Sequence, residues 1–212
     1  MPETKSTLIV FGGLPGTGKT TLARAVAEEH SATYLRIDTI EQALRSSGVL
    51  VGDDLGPAGY LVAYALAESN LRMGRMVVTD SVNPLAVTRD AWRRVAATTS
   101  SEIVEIEVVC SDIAEHRRRV ETRSVDVPGL ALPCWQDVVE RDYEPWNRSR
   151  IVLDTAGYTI EDTLKELRMR IKNMQSGDIN LRYIENMRHP SEYRSCGANV
   201  RGSQKARRTC WR

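Results

Sequence analysis

An eight-residue motif, GLPGTGKT at residues 13–20, constrains this 212-residue chain more than any other feature. It matches the pattern G-x-x-x-x-G-K-[ST] in full, with an apolar run before it and a helical pattern after it. Glycines in such a loop let successive backbone N–H groups turn inward around phosphate oxygens. The N-terminus of the following helix points its positive end at the same anion. The motif therefore predicts a strand, a phosphate-binding loop and a helix.

Individual residues of the motif have separate predicted roles. The ammonium group of Lys19 is expected to reach the β- and γ-phosphates of a nucleotide, and the Thr20 hydroxyl to bind a magnesium ion beside them. The alternative is a glycine-rich turn that binds nothing, which the flanking strand and helix disfavour. The rest of the predicted phosphate cradle is formed by Gly13, Gly16, Thr17 and Gly18.

Apolar runs alternate with helical patterns along the first 174 residues. Five of the runs predict strands, at residues 7–11, 33–37, 75–79, 103–109 and 151–153. Short strands separated by helices form parallel sheets that are covered on both faces. Residues 1–174 are therefore predicted to form a single α/β domain.

The pattern of apolar residues fails after Met174, and residues 175–212 form a basic tail. This tail carries eight Lys/Arg and three Asp/Glu, whereas the whole chain has a net charge of +1. The body is therefore slightly acidic, which argues against a general nucleic-acid binder, because such proteins usually present a basic face. We expect the tail to be disordered or loosely packed. Its composition suits a non-native extension as well as a functional basic segment.

The composition predicts a cytoplasmic protein that does not enter a membrane. The first six residues are short and polar and lead straight into an apolar run, so no secretory signal is recognisable. The longest mostly apolar stretch, residues 60–67, is far too short to cross a bilayer. The four cysteines form no C-x-x-C pair and are expected to be reduced thiols rather than zinc ligands.

Two aspartates follow predicted strands, and both are candidates for chemistry. Asp80 ends the third apolar run, a position from which a carboxylate holds magnesium or its water. Asp38 ends the second run, where a carboxylate can orient an acceptor hydroxyl and take its proton. The alternative for each is a structural cap at the start of the next helix. The phosphate-loop motif favours the functional interpretation of both.

A basic helix is predicted at residues 112–123, after the fourth strand. Arg119 and Arg123 are four residues apart and are expected to share one helical face. Cationic side chains that close over a migrating phosphoryl group stabilise its negative charge. We therefore predict a lid at about residues 112–146 that supplies these two arginines. The alternative for these arginines is a basic helix face that is exposed to solvent. His116, on the same helix, is predicted to be an incidental lid residue.

Residues 154–157, with the sequence DTAG, look like the D-x-x-G switch of GTPases. That interpretation is rejected because the segment lies at the fifth strand rather than one short unit after the phosphate loop. The sequence also contains no N-K-x-D or T-K-x-D guanine-binding motif. We predict instead a strand end that turns toward the last helix, in a place suited to lining an adenine pocket.

The phosphate loop, the two aspartates and the lid arginines together resemble the P-loop kinase superfamily. The similarity is closest to its bacterial branch of predicted kinases that carry the label AAA domain, and it covers about residues 8–174. This branch shares its architecture with chloramphenicol phosphotransferases, zeta-toxin-type kinases and adenylylsulfate kinases. The resemblance implies a five-stranded parallel sheet in the order 2-3-1-4-5, with helices on both faces and a mobile helical lid. It also implies that Thr21 lies near the α-phosphate, that Asp38 faces the acceptor, and that Arg119 and Arg123 act from the lid.

The sequence therefore predicts a kinase that uses ATP and Mg²⁺ to phosphorylate a hydroxyl of a small molecule. Two alternatives stay open: a polynucleotide 5′-hydroxyl kinase, and a P-loop ATPase or regulatory ATP-binding module without kinase activity. Acceptor pockets are built from scattered side chains of no fixed spacing, so the sequence predicts neither the acceptor's identity nor an oligomeric state.

Overall fold

The computed structural model describes residues 5–48 and 55–175. Two features predicted from the sequence lie partly or wholly outside this range. The sequence contains a glycine-rich loop at residues 48–59, whose position suits a part of the acceptor pocket, and residues 49–54 of this loop lie outside the described range. The basic tail lies outside it from residue 176 onward.

Five parallel strands form one sheet at the centre of the protein. They pair in the order β2-β3-β1-β4-β5, as predicted. The phosphate-loop motif follows the middle strand, so the loop emerges at the centre of the carboxyl edge of the sheet. The strands are β1 (Thr7–Gly12), β2 (Thr33–Arg36), β3 (Val77–Asp80), β4 (Glu102–Val109) and β5 (Ile151–Asp154).

Helices connect the strands, and several of them differ in extent from the prediction. The helix after the second strand begins at Ile37, so that strand is one residue shorter than predicted. The sequence pattern also predicts helices at residues 84–97 and 135–143. The first begins at Ala86, so that Pro84 precedes it, and the second ends at Val139. The helices are α1 (Lys19–Glu29), α2 (Ile37–Ser46), α3 (Ala58–Arg72), α4 (Ala86–Thr98), α5 (Ile113–Thr122), α6 (Trp135–Val139) and α7 (Ile160–Gln175).

Both faces of the sheet are packed, which explains why the strands are apolar without alternation. Ile9 and Phe11 of β1 point into a core shared with α1 and α7. Leu8 and Val10 point into a second core shared with α3 and α4, where Trp92 is fully buried. The sheet is therefore a rigid base, and its carboxyl edge is the place where polar side chains are held in fixed positions.

Beyond α6 the chain returns to the sheet through a network around Glu107, a buried carboxylate of β4. Tyr143 donates a hydrogen bond of 3.0 Å to Glu107 and accepts one of 3.1 Å from the indole of Trp146. Arg150 donates to the other oxygen of Glu107 at 2.5 Å, and Arg89 lies 4.6 Å over the Trp146 ring. This network explains the aromatic residues of a segment to which the sequence assigned no role: they fasten the end of the lid to β4.

Within the described ranges no helix combines the length and the apolar character that a membrane span requires.

Candidate active site

The phosphate loop joins β1 to α1 and is held from both sides. Its first glycine, Gly13, donates a backbone hydrogen bond of 3.0 Å to Val82, just beyond β3. The Thr17 hydroxyl donates to the Leu14 carbonyl at 2.9 Å. The side chain of Thr17 therefore helps to fix the shape of the loop.

Helix α5 packs directly on this loop. Gly16 has a φ of +86°, and a Cβ built there would lie only 2.5 Å from a methyl carbon of Val120. His116 Nε2 lies 2.8 Å from the carbonyl of Pro15, and because a carbonyl only accepts, this nitrogen carries the proton. Burial lowers the pKa of His116, although the Pro15 carbonyl opposes the shift. His116 therefore packs between α5 and the phosphate loop. It has a structural role, whereas the sequence predicted an incidental lid residue.

Lys19 is the point on which the charged groups of the site converge. It opens α1 with only 7% of its surface exposed. Burial lowers the pKa of Lys19, whereas the negative charges of Asp80 and Asp38 oppose that shift and the charge of Arg123 adds to it. The structure therefore brings together four residues that the sequence singled out separately.

Asp80 is the last residue of β3 and is 2% exposed. Its Oδ2 accepts a hydrogen bond of 2.8 Å from the hydroxyl of Tyr34, and burial and the charge of Asp80 raise the pKa of that tyrosine. The other oxygen, Oδ1, is buried and has no hydrogen-bond partner among the described residues. This carboxylate oxygen, close to Lys19, is therefore a suitable ligand for a hard cation.

The residues of this site suit magnesium, which binds together with its nucleotide, better than a metal ion that is coordinated only by protein side chains. In the described part of the chain, no group of three or more His, Cys, Asp or Glu residues is able to hold a metal ion. Magnesium is commonly held by one or two carboxylates, waters and the phosphates of its nucleotide. Asp80, with Thr20 in the first turn of α1, matches that arrangement.

Asp38 lies in the first turn of α2, not at the end of β2 as predicted. The strand ends earlier because Ile37, which is buried, already takes part in the helix. Arg36, not Asp38, is the N-cap residue of α2, so the capping alternative does not hold either. The Asp38 carboxylate instead accepts a hydrogen bond of 3.3 Å from Arg36 and remains partly exposed beside the phosphate loop.

Arg119 and Arg123 have different partners in the structure. Arg123 is the C-cap residue of α5, and its backbone N–H still donates to the Arg119 carbonyl at 3.2 Å. Arg119 donates to Thr155 and to Glu115, so its guanidinium binds the loop after β5. The prediction that it closes over the phosphates does not match this geometry.

Arg123 makes no such contact with Thr155, and its charge acts on Lys19. Its side chain is half-buried, and its Nε has no hydrogen-bond partner in residues 5–48 or 55–175. Burial lowers the pKa of Arg123, the charge of Asp38 opposes that shift, and the positive charge of Arg36 adds to it. One of the two predicted arginines therefore reaches the group around Lys19.

The structure adds three charged residues that the sequence did not single out: Arg36, Glu41 and Arg141. Glu41 lies one turn after Asp38 on α2, and burial raises the pKa of its carboxyl group. Arg141 follows α6 and lies within electrostatic range of Glu41 and Arg123. The spacing of three between Asp38 and Glu41 indicates a shared face only because α2 begins at Ile37 and includes both residues, whereas the sequence predicted Asp38 at a strand end.

The segment at residues 154–157 is a strand end that turns toward α7, as predicted. The carboxylate of Asp154 accepts backbone hydrogen bonds of 3.0 Å from both Ser111 and Ala156. The Thr155 hydroxyl donates to the backbone carbonyl of Thr17 at 2.9 Å, so this turn lies against the back of the phosphate loop.

Comparisons with known proteins identify the family and the fold of this chain. A family model described as AAA domain matches residues 8–141. A protein of Mycobacterium tuberculosis is 38% identical in a 109-residue alignment that covers 46% of this chain and 22% of that protein. The chain thus spans about a fifth of the length of that relative.

Solved structures show the same fold at low sequence identity. The APS kinase of Mycobacterium tuberculosis, in complex with AMPPNP and APS, has a TM-score of 0.58 and 17% identity over 79% of this chain and 98% of that chain. Kti12 of Chaetomium thermophilum, in complex with ADP-AlF3, has a TM-score of 0.59 and 22% identity over 78% of this chain and 97% of that chain. The resemblance to the P-loop kinase superfamily is thereby confirmed by the family model and the fold.

Proposed function

Because the chain belongs to the AAA-domain family, whose family model matches residues 8–141, we propose that it is an ATP-dependent kinase. It transfers the γ-phosphoryl group of ATP to a hydroxyl of a small molecule. The phosphate-loop motif and the charged residues around Lys19 support this proposal.

The observation that carries the proposal is the surroundings of Lys19. Two carboxylates, Asp80 and Asp38, and one lid arginine, Arg123, all act electrostatically on its ammonium group. Besides Asp80, which suits the metal side, the site holds a second carboxylate, Asp38, and Arg36 joins the two. The second carboxylate is what a transferase requires to orient an acceptor hydroxyl.

In the proposed reaction the acceptor oxygen attacks the γ-phosphorus in line with the leaving oxygen of ADP. A bond forms between acceptor oxygen and phosphorus, and the bond from phosphorus to the β–γ bridging oxygen breaks. Asp38 orients the acceptor hydroxyl and takes its proton. Lys19 and Arg123 stabilise the negative charge that spreads over the migrating group.

Thr20 and Asp80 are the residues that would hold magnesium in this scheme. When bound, the ion neutralises charge on the phosphate oxygens. Tyr34 fixes the Asp80 carboxylate through Oδ2, which leaves Oδ1 directed away from that hydrogen bond.

The acceptor side of the site is polar and carries charges of both signs. Asp38 and Glu41 lie on one face of α2, and the lid contributes Arg123 and Arg141. Arg141 Nε is buried and lacks a hydrogen-bond partner in the described ranges. These groups favour a polar acceptor with several hydrogen-bonding groups over an apolar one.

The proposal is tested with γ-labelled ATP and pooled acceptors: nucleosides, sugars, sugar nucleotides, hydroxylated antibiotics and 5′-hydroxyl oligonucleotides. We expect label to move to one small-molecule pool. Lys19→Ala and Asp38→Asn should abolish the transfer, whereas Glu68→Gln, a surface carboxylate paired with Arg72 on α3, should not affect it.

Other outcomes separate the alternatives. Label on the oligonucleotide pool would indicate a polynucleotide kinase. Label found only as free phosphate, at a rate that Asp38→Asn does not change, would contradict the kinase proposal and support an ATPase or a regulatory module.

A further inference from the structure

Arg36 has an unusual position because one guanidinium faces three carboxylates from three parts of the fold. It is the last residue of β2, and sheet pairing places it directly beside Asp80 of β3. Its Nε lies 3.7 Å from Asp80, and its Nη2 donates to Asp38 at 3.3 Å. Its Nη1 donates to Asp126 at 2.5 Å. Each nitrogen of the fork therefore faces a different aspartate.

Asp126 is the member of this group that belongs to the lid, in the loop between α5 and α6. The same carboxylate accepts a second hydrogen bond of 3.3 Å from Arg24 on the outer face of α1. Three residues further on, Gly129 lies so close to α2 that a Cβ there would be 2.6 Å from Gln42 Nε2. The lid loop is thus docked on the acceptor side of the site, and Arg36 is the buried point of that docking.

The two arginines on Asp126 differ in what else they touch. The side chain of Arg36 is 9% exposed and contacts both carboxylates of the proposed chemistry. The side chain of Arg24 is 51% exposed, and its ion pair in the structure is with Asp126. Arg24 therefore provides a matched control: it shares the lid contact and lacks the contacts to Asp38 and Asp80.

The electrostatics agree with this arrangement. Burial lowers the pKa of Arg36, but the hydrogen bond to Asp126 and the charges of Asp38 and Asp80 outweigh burial, and the pKa is raised overall. The same hydrogen bond holds the pKa of Asp126 below its usual range. Because a guanidinium group is planar and rigid, a hydrogen bond that fixes one of its nitrogens also fixes the directions of the other two. Docking of Asp126 therefore determines where Arg36 presents its remaining nitrogens.

We propose that Arg36 is a positioning residue through which docking of the lid at Asp126 aligns Asp38 and Asp80 for phosphoryl transfer. The inference rests on the proposed kinase function for its catalytic part. With Asp126 docked, Arg36 is drawn toward the lid, so it meets Asp80 at an ion-pair distance and leaves Oδ1 of that carboxylate open. Without this contact, Arg36 is shared by Asp38 and Asp80 alone and competes with the acceptor and the metal for them.

The test compares Asp126→Asn, Arg36→Lys and Arg24→Gln in the full-length chain. Steady-state kinetics with the acceptor that the labelling experiment identifies give kcat and KM separately. We expect Asp126→Asn to lower kcat by about tenfold or more and to raise KM for ATP by up to about tenfold, because the nucleotide binds together with magnesium. Arg36→Lys, which keeps the charge but loses the fork, should do the same. Arg24→Gln should leave kcat within about twofold of the wild type.

The double variant Asp126→Asn/Arg36→Lys separates coupling from two independent defects. If Asp126 acts through Arg36, the double variant loses no more rate than the worse single variant. Multiplicative losses would overturn the inference. So would an Asp126→Asn enzyme with the wild-type kcat; because this side chain is 41% exposed, its isosteric replacement should not prevent folding.

A second measurement does not depend on kinase activity. Calorimetry of ADP binding with and without magnesium reports whether Asp80 is correctly held. We expect Asp126→Asn and Arg36→Lys to reduce the gain in ADP affinity from magnesium by about tenfold, and Arg24→Gln to leave it unchanged. If no acceptor is ever labelled, the proposed function fails, and this measurement alone decides the inference: an undiminished magnesium effect in both variants overturns it.

Discussion

Arg119 and Thr155 are joined by two hydrogen bonds, 2.7 Å to the hydroxyl and 2.9 Å to the backbone carbonyl. The Thr155 hydroxyl in turn donates to Thr17 in the phosphate loop. This chain of contacts connects the lid helix α5, the turn after β5 and the back of the phosphate loop. Arg119 thus acts on the site by holding its framework together.

The first prediction concerns the stability that this contact provides. Arg119→Ala should lower the free energy of unfolding by about 1–3 kcal/mol, because it removes hydrogen bonds from a charged donor and leaves the Thr155 carbonyl without this donor. Urea denaturation measures the change. Arg117→Ala, which removes only an exposed ion pair with Glu121, should cost less than about 1 kcal/mol. Equal losses in the two variants would contradict this structural role.

The second prediction concerns Arg123, which reaches the group around Lys19 instead. Arg123→Ala should lower the rate of phosphoryl transfer by about 10³-fold, as expected for an arginine that stabilises the transferring group. It should not lower the thermal midpoint, because burial already disfavours the charged form of Arg123, as the lowered pKa shows. Rate assays and thermal melts on the same preparations check both halves.

Arg118→Ala is the matched control for Arg123→Ala, since Arg118 lies in α5 with its side chain 67% exposed. It should leave the rate unchanged. A normal transfer rate in Arg123→Ala would remove this residue from the catalytic machinery and leave the lid without an assigned cation.

The parts of this protein that could be predicted from sequence are those fixed by local pattern. The phosphate loop and the alternation of strands and helices predicted the sheet, and Asp80 could be placed because it directly follows an apolar strand. The contacts of Arg119 could not be predicted, because its partner Thr155 lies 36 residues further along the chain and meets α5 only in the folded protein.

The role of Arg36 was beyond sequence reasoning for a different reason. Its partners Asp80 and Asp126 are far away along the chain, and they meet it only because β2 pairs with β3 and the lid folds back. A single arginine two residues before Asp38 has no spacing that indicates three partners. The same holds for Glu107, a charge in the middle of a strand, which is accounted for only when Tyr143 and Arg150 arrive from beyond the lid.

The third prediction tests the close packing of α2 and α3. Gly59 is the second residue of α3, and a Cβ there would lie 2.4 Å from Cγ of Glu41. Gly59→Ala should therefore lower the free energy of unfolding by about 1–3 kcal/mol through overpacking, despite the higher helix propensity of alanine. Urea denaturation measures the loss.

Glu41→Ser in the Gly59→Ala background should restore most of that stability, because it removes the atoms that the new methyl group meets. If Gly59→Ala alone is as stable as the wild type, α2 does not approach α3 as closely as described. The position of Glu41 beside the acceptor site would then need revision as well.

The last prediction concerns the pH dependence of stability that His116 introduces. Burial lowers the pKa of His116, so below about pH 6.5 the unfolded chain binds a proton there that the folded protein does not. The unfolded state then holds more protons, and the folded state loses stability as the pH falls from 7 toward 5. His116→Gln, which keeps a donor for the Pro15 carbonyl, should reduce this loss. Urea denaturation at several pH values measures the slope for both proteins, with His30→Gln at the exposed end of α1 as the control. The control should follow the wild type, and parallel curves for all three proteins would show that His116 does not titrate as its burial between the lid helix and the phosphate loop requires.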